Sequence, residues 1–171
     1  IKYVHERGET MYDGNGRPQR TLGTVQDITG RKLAEQALEQ NESNFRALTE
    51  NSNVGIFVNY RGRHVFANPR VLEMLGYTLD EVRNTTIEDL VHPDELELVR
   101  GRFRDRMAGK PVPSSYETML VAKDGTPVPV ELTATLTTWL GEPAGLVFLH
   151  DIRERIRNET EMRKLSSAIT Q

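Results

Sequence analysis

The chain has 171 residues, with 22 basic and 25 acidic side chains and a net charge of −3, a balance that gives no reason to expect nucleic acid as a partner. It has no cysteine, which excludes disulfides, thiolate metal sites and cysteine nucleophiles. Its 37% of apolar residues suffices for one ordinary core; no apolar run reaches membrane-spanning length and the opening residues, IKYVHERGET, do not read as a signal peptide, so the expectation is a cytoplasmic protein without direct membrane contact.

In chain order, KYVHERG and TLGTVQDIT read as two strands joined by the turn-rich DGNGRP. DGNG resembles the start of a calcium loop, but Pro18 and Thr24 stand where that loop needs Gly and Glu, so it is a turn. Asp27 then opens DITGRKLAEQAL. A similar strand-to-helix exit, DIRERIRNETEM, follows AGLVFLH at Asp151, 124 residues later. Residues 30–50 read as a helix in which Arg31, Ala34, Leu38, Asn41, Phe45 and Leu48 keep heptad spacing. Arg155, Asn158, Met162, Leu165 and Ile169 repeat that spacing after the second exit. Two readings stay open: helices lying on their own domain, or a parallel two-helix coil between protomers.

Between the exits, VGIFVNY and RHVFAN read as short strands with a turn at Arg61-Gly62. NPRVLEMLGY reads as a short helix capped by Asn68, with Pro69 first and Gly76 ending it. TLDEV and TIEDLV are single turns capped by Thr78 and Thr86. A longer helix over HPDELELVRGRFRDRMAGK puts Leu96, Val99, Phe103 and Met107 on one face and ends near Gly109. SSYETMLVAK and TPVPVELTATLTTW form a hairpin at Asp124-Gly125. In the second strand Val128, Val130, Leu132, Ala134 and Leu136 alternate toward a core. AGLVFLHDI closes the unit, with Gly141 and Gly145 expected in the turn before it. Strand, strand, helices, three strands is an α+β order with an antiparallel sheet.

GIFV, ANPRVLEMLGYTLDEV, HPDELELV, YETMLVAKDGTPVPVEL and LVFLHDIRER, in this order, resemble a PAS domain with its C-terminal PAC motif. The resemblance implies a five-stranded antiparallel sheet with helices on one face, enclosing a small cavity that holds a ligand in some members. It divides the chain into the closing hairpin of a preceding PAS domain (1–29), a helical linker (30–50), a complete PAS/PAC domain (51–152) and a second linker (153–171). Multi-PAS proteins of bacteria imply further domains of the same polypeptide: other PAS units, and a histidine kinase or a diguanylate cyclase as output. Neither output signature is present in the chain.

His5, His64, His92 and His150 are scattered, and none pairs with a carboxylate at metal-ligand spacing, so structural roles are expected for them. No phosphate loop or nucleophile elbow is present, and no catalytic residue or metal site is assigned. Light-sensing relatives use a cysteine where this chain has Thr85, so the resemblance implies no cysteine–flavin adduct. Haem-binding relatives place a histidine on the long helix, and residues 93–109 have none. No cofactor is predicted, with a noncovalent flavin or a small metabolite left open. By strand parity the cavity would be lined by Thr118, Leu120, Val130, Leu132, Val147 and Leu149 from the sheet and by Leu72, Leu75, Val99 and Phe103 from the helices. That set is almost wholly apolar, so a filled core is the alternative to a ligand pocket. The expected function is a sensory module that relays a ligand or conformational signal through its linker helices. The alternative is a PAS unit that only dimerises and spaces its neighbours. A homodimer is expected through Ala34, Leu38, Phe45, Leu48, Met162, Leu165 and Ile169.

Overall fold

The structure, a computed structural model, describes the backbone of residues 1–169 and the side chains of residues 1–167. The place of Ile169 on the apolar stripe therefore lies outside the described side chains. Two units are distinguished, residues 1–48 and the remainder.

The first unit holds strands β1 (Val4–Tyr12) and β2 (Pro18–Asp27) and helix α1 (Thr29–Glu50) up to Leu48; the last two residues of α1 belong to the second unit. β1 and β2 form a two-stranded antiparallel sheet, with Val4 opposite Asp27. Nearly all of their residues are exposed. Asp13 closes the intervening turn by accepting from the backbone of Asn15 and Arg17. On α1, Arg31 and Lys32 pair with Glu35 one turn later, at 3.3 and 3.0 Å.

The second unit runs β3 (Gly55–Tyr60), β4 (Arg63–Ala67), α2 (Pro69–Leu75), α3 (Leu79–Arg83), α4 (Ile87–Leu90), a 3-10 turn (Pro93–Glu95), α5 (Leu96–Met107), β5 (Ser115–Val121), β6 (Pro127–Trp139), β7 (Glu142–Asp151) and α6 (Arg153–Ile169). The five strands form one antiparallel sheet in the order β4-β3-β7-β6-β5. Arg61 and Gly62, both at positive φ, make the tight turn that the sequence places there. Asn68 caps α2 and Gly76, at φ 73°, ends it. Thr78 caps α3 in a reciprocal capping box with Glu81. At α4 the carboxylate of Asp89 does the capping, accepting from the backbone N–H and the hydroxyl of Thr86.

Three details differ from the sequence reading. The β5–β6 loop is wider than an Asp-Gly turn: it runs from Ala122 to Thr126, and the Asp124 carboxylate accepts from the Thr126 backbone. The β6–β7 turn is Leu140-Gly141, and Gly145 lies inside β7, opposite Asn59 and Leu136. A Cβ on Gly145 would come within 3.0 Å of the Phe103 ring, so this glycine serves the packing of α5 on the sheet. Leu136 is exposed although Val128, Val130, Leu132 and Ala134 alternate inward as expected.

The core is an apolar cluster between the sheet and the helices, drawn from strands β3 to β7 and helices α2 to α5. Leu132 is buried in it, opposite Leu149. Truncation of Leu132 to Ala is expected to cost about 2–5 kcal/mol in urea denaturation, the range for a buried leucine that leaves a cavity. A midpoint equal to wild type would place Leu132 outside the core.

Candidate functional site

A cavity of about 40 Å³ lies between the inner face of the sheet and α5. Val99 and Phe103 line it from α5, Ile87 and Leu90 from α4, Leu132 and Ala134 from β6, and Val147 from β7. Leu120 and Tyr116 close it on the β5 side, and Phe57, Asn59 and His64 on the β3–β4 side.

Of the ten residues expected at the cavity, Val99, Phe103, Leu120, Leu132 and Val147 are on its wall. Leu75, Thr118, Val130 and Leu149 are buried, and Leu72 is half-buried against the same core, but none of the five lines the cavity. Strand parity identifies the inward face and says nothing about where along that face a gap remains. Around Gly55 there is none: a Cβ there would stand 3.0 Å from Val71 Cγ2 and 3.3 Å from Leu149 Cβ.

Four polar residues of the wall, Asn59, His64, Arg106 and Tyr116, were missed by the sequence reading, and the first two are the most deeply buried. Asn59 follows Phe57 by two positions in β3, so it shares the inward face. It is 1% exposed, and neither its amide nitrogen nor its amide oxygen has a hydrogen-bond partner. The available signal was a polar side chain at an inward position of an otherwise apolar strand. His64 lies directly across the strand pair from Asn59, beside a bulge. It is 1% exposed and packs edge-on against Phe57, with ring centroids 4.7 Å apart. Its Nδ1 is 3.1 Å from both the carbonyl and the hydroxyl oxygen of Thr85. The Thr85 hydroxyl donates to Val82 O at 2.6 Å. Both Thr85 oxygens are therefore acceptors toward the ring, which puts the proton on Nδ1 and a lone pair on Nε2. Arg106 also lines the cavity, but its guanidinium donates to the Pro113 carbonyl at 2.5 Å.

The remaining histidines take structural or surface positions. His92 Nδ1 accepts from the Asp94 backbone at the 3-10 turn, and His150 is exposed on β7. Among the described residues no group of His, Asp or Glu could hold a metal ion, and no helix is long and apolar enough to cross a membrane.

The linker residues are exposed. Leu38 is 70% exposed, and Ala34, Phe45, Leu48, Met162 and Leu165 are also exposed. The two exits share their local bonding. Asp27 accepts from the Thr29 backbone at 2.9 Å and Asp151 from the Arg153 backbone at 3.0 Å, and Ile28 and Ile152 each donate to a carbonyl across the hairpin. Burial acts to raise the Asp151 carboxyl, but bonds from Arg153 and the charge of Arg70 outweigh it and hold the group below the usual carboxylate range.

With this architecture in view, the comparisons with known proteins agree. The family model described as PAS fold matches residues 43–152. The chain belongs to the PAS family. It is 27% identical over 139 residues to sporulation kinase A of Bacillus subtilis, covering 81% of this chain and 23% of that protein. It is 26% identical over 133 residues to the methyl sulfide methyltransferase-associated sensor of Methanosarcina acetivorans, covering 76% of this chain and 13% of that protein. The chain thus spans a quarter or less of these curated relatives. Among solved structures, the PAS domain of an HTR-like protein from Haloarcula marismortui superposes with a TM-score of 0.59 at 28% identity, covering 71% of this chain and 99% of that one. A domain of a sensory box sensor histidine kinase/response regulator from Geobacter sulfurreducens gives a TM-score of 0.56 at 25% identity, covering 67% and 96%.

Burial lowers the His64 pKa to about 4, against the Thr85 bond and the more distant Asp89 charge, which act to raise it. The folded protein therefore refuses a proton that the unfolded chain binds between about pH 4 and pH 6.5. Stability is complete above pH 6.5 and falls as the pH drops through that window, by roughly 3 kcal/mol at about 1.4 kcal/mol per pH unit. Urea midpoints at pH 7 and pH 4.5 check this: His64→Gln is expected to lose clearly less stability between them than wild type.

Proposed function

We propose that this chain is a sensory and signal-transduction module in which the occupancy of the β3–β7–α5 cavity is read out through helix α6. The PAS unit itself is not a catalyst. The observation that carries this reading is the course of β7. Its Val147 forms cavity wall, and four residues on, its Asp151 anchors the first turn of α6. At about 3.3 Å per residue the two points are roughly 13 Å apart along one strand. A shift at the cavity needs no intermediate element to reach the helix.

A small metabolite is favoured over a flavin, because a cavity of about 40 Å³ is far below the ~300–1,000 Å³ of pockets that enclose a cofactor. A sensing role is favoured over a spacer role by Asn59, since a buried amide without partners costs stability that a spacer has no use for. The relatives described as a sporulation kinase and a sensor histidine kinase support a kinase rather than a cyclase as parent. Residues 1–29 are proposed as the closing hairpin of a preceding PAS domain. The support is the match between Asp27 opposite Val4 and Asp151 opposite Val130, each with the same bond into the following helix.

We further propose a weak parallel homodimer through the exposed stripe of α1, with a contribution from the outer face of the sheet around Phe148. Four apolar positions are too few for a short helix to pair stably alone.

Two measurements test the reading. Filling the cavity with Ala134→Leu is expected to change amide hydrogen exchange in α6; an α6 pattern identical to wild type in a folded variant would overturn the relay. Changing Leu38 and Phe45 together to Glu is expected to shift sedimentation to monomer with an unchanged thermal melt of the PAS unit. A wild-type chain that is monomeric at high concentration, or a double variant that dimerises equally well, would overturn the dimer.

A further inference from the structure

The geometry points to a specific chemistry for the cavity: we propose that it takes a small neutral molecule whose amide or lactam edge pairs with the Asn59 side chain. The proposal rests on the sensory reading above and names the class of ligand.

Asn59 offers an acceptor and a donor side by side, both buried and both without a partner. Each unpaired atom costs free energy in a dry site. A side chain of this kind pairs through two parallel bonds with an edge that presents a donor beside an acceptor, such as the N–H and C=O of a lactam; asparagine pairs in the same way with the N6 and N7 edge of adenine. His64, directly across the strand pair, adds an acceptor at Nε2, because the bonds to Thr85 hold its proton on Nδ1. That acceptor suits a second N–H or O–H on the ligand.

Charge excludes the ionic alternatives. No Asp or Glu lines the cavity, so an ammonium would have no counter-charge. A carboxylate would face the Asn59 oxygen and the His64 lone pair. The one cation on the wall, Arg106, is turned to the Pro113 carbonyl in the last turn of α5, where the helix carbonyls also meet its charge. The rest of the wall is aliphatic or aromatic, which suits an apolar ligand body. Size is set by Phe103, whose half-buried ring lies directly over Gly145. Binding a molecule larger than the cavity of about 40 Å³ therefore requires that ring to move.

The test uses the full 171-residue chain, labelled with nitrogen-15, with 2-pyrrolidinone as probe. Two controls remove parts of the edge: cyclopentanone, of nearly equal shape, lacks the nitrogen, and 1-methyl-2-pyrrolidinone, one methyl group larger, lacks the N–H. The expected result is that 2-pyrrolidinone moves the Asn59 side-chain signal and those of Gly145 to Val147, and binds at least ~10-fold more tightly than either control, the ratio for one good hydrogen bond. Asn59→Leu is expected to lose that preference and to melt at or above wild type, because it removes two unpaired buried atoms. Should Asn59→Leu fail to fold, Ala134→Val keeps the amide and narrows the cavity, and is expected to weaken 2-pyrrolidinone by a similar factor. Equal binding of lactam and controls, or undiminished lactam binding by Asn59→Leu, would overturn the amide class while leaving the sensory reading intact. If no probe binds, a bridging water is all that the edge holds, and the proposal falls. The sensory reading is judged separately, by whether Ala134→Leu alters exchange in α6.

Discussion

The second unit depends on where β3 begins relative to α2, and a single side chain fixes that relation. The Asn68 carboxamide, 1% exposed, accepts from the backbone of Ile56 at 2.8 Å and Val71 at 3.3 Å. It donates to the carbonyls of Thr49 at 2.9 Å and Val54 at 3.0 Å. All four hydrogen-bonding sites of the amide are used. In one residue the end of α1, the start of β3 and the first turn of α2 are satisfied together. Aspartate in its place would lose both donations and bring a charge into a buried site; alanine would leave four backbone groups to find other partners. The remaining packing follows from this anchor. With α2 held at Gly55, Val71 and Leu149 close over that part of the sheet and leave no gap. The free volume collects instead under α5.

That contrast explains what was and was not legible in the sequence. The strands, the caps at Asn68 and Thr78, the left-handed Gly76 and the inward faces of β5, β6 and β7 follow from period-2 alternation and from turn and cap chemistry, which are local. The tightness of packing is not local. Leu149 and Val147 are both inward on β7, yet one is buried beside Val71 and the other faces a cavity, because different helices cover them. Gly145 read as a turn residue for the same reason. Glycine marks turns by its backbone freedom, but here its missing side chain makes room for Phe103, a residue 42 positions earlier. Asn59 escaped because strand parity was followed only along the last three strands; its own strand was recognised, and its register opposite Gly145 and His64 shows it facing inward.

Asn59 and Asn68 are chemically identical and lie nine residues apart, both buried, yet they stand at opposite ends of the energetic scale. Asn68 is saturated by backbone groups that are themselves fixed, so it adds stability and rigidity. Asn59 finds no hydrogen-bond partner among the protein's own groups, so the fold gains no such bond from it. An apolar residue of similar size at that position would strengthen the fold.

The N-terminus of α2 also touches both ends of the module. Asn68 holds the carbonyl of Thr49 at the end of α1. Two residues later, Arg70 donates to the Asn53 carbonyl at 3.2 Å and lies 3.9 Å from Asp151 at the start of α6. These links differ in strength. The Asn68 bonds are buried and saturated. The Arg70 contact is long and partly exposed, and pairs of that kind contribute at most about 1 kcal/mol. Asp151 is bound far more closely to Arg153 in α6 itself. The start of α6 is held instead by the sheet: the Ile152 N–H donates to the Pro129 carbonyl at 3.2 Å, Ile152 is buried, and Arg155 pairs with Glu117 of β5 and lies 3.7 Å from Glu131 of β6. The end of α1 is thus fixed to the first turn of α2, and the start of α6 to the strand that forms cavity wall and to its neighbours in the sheet.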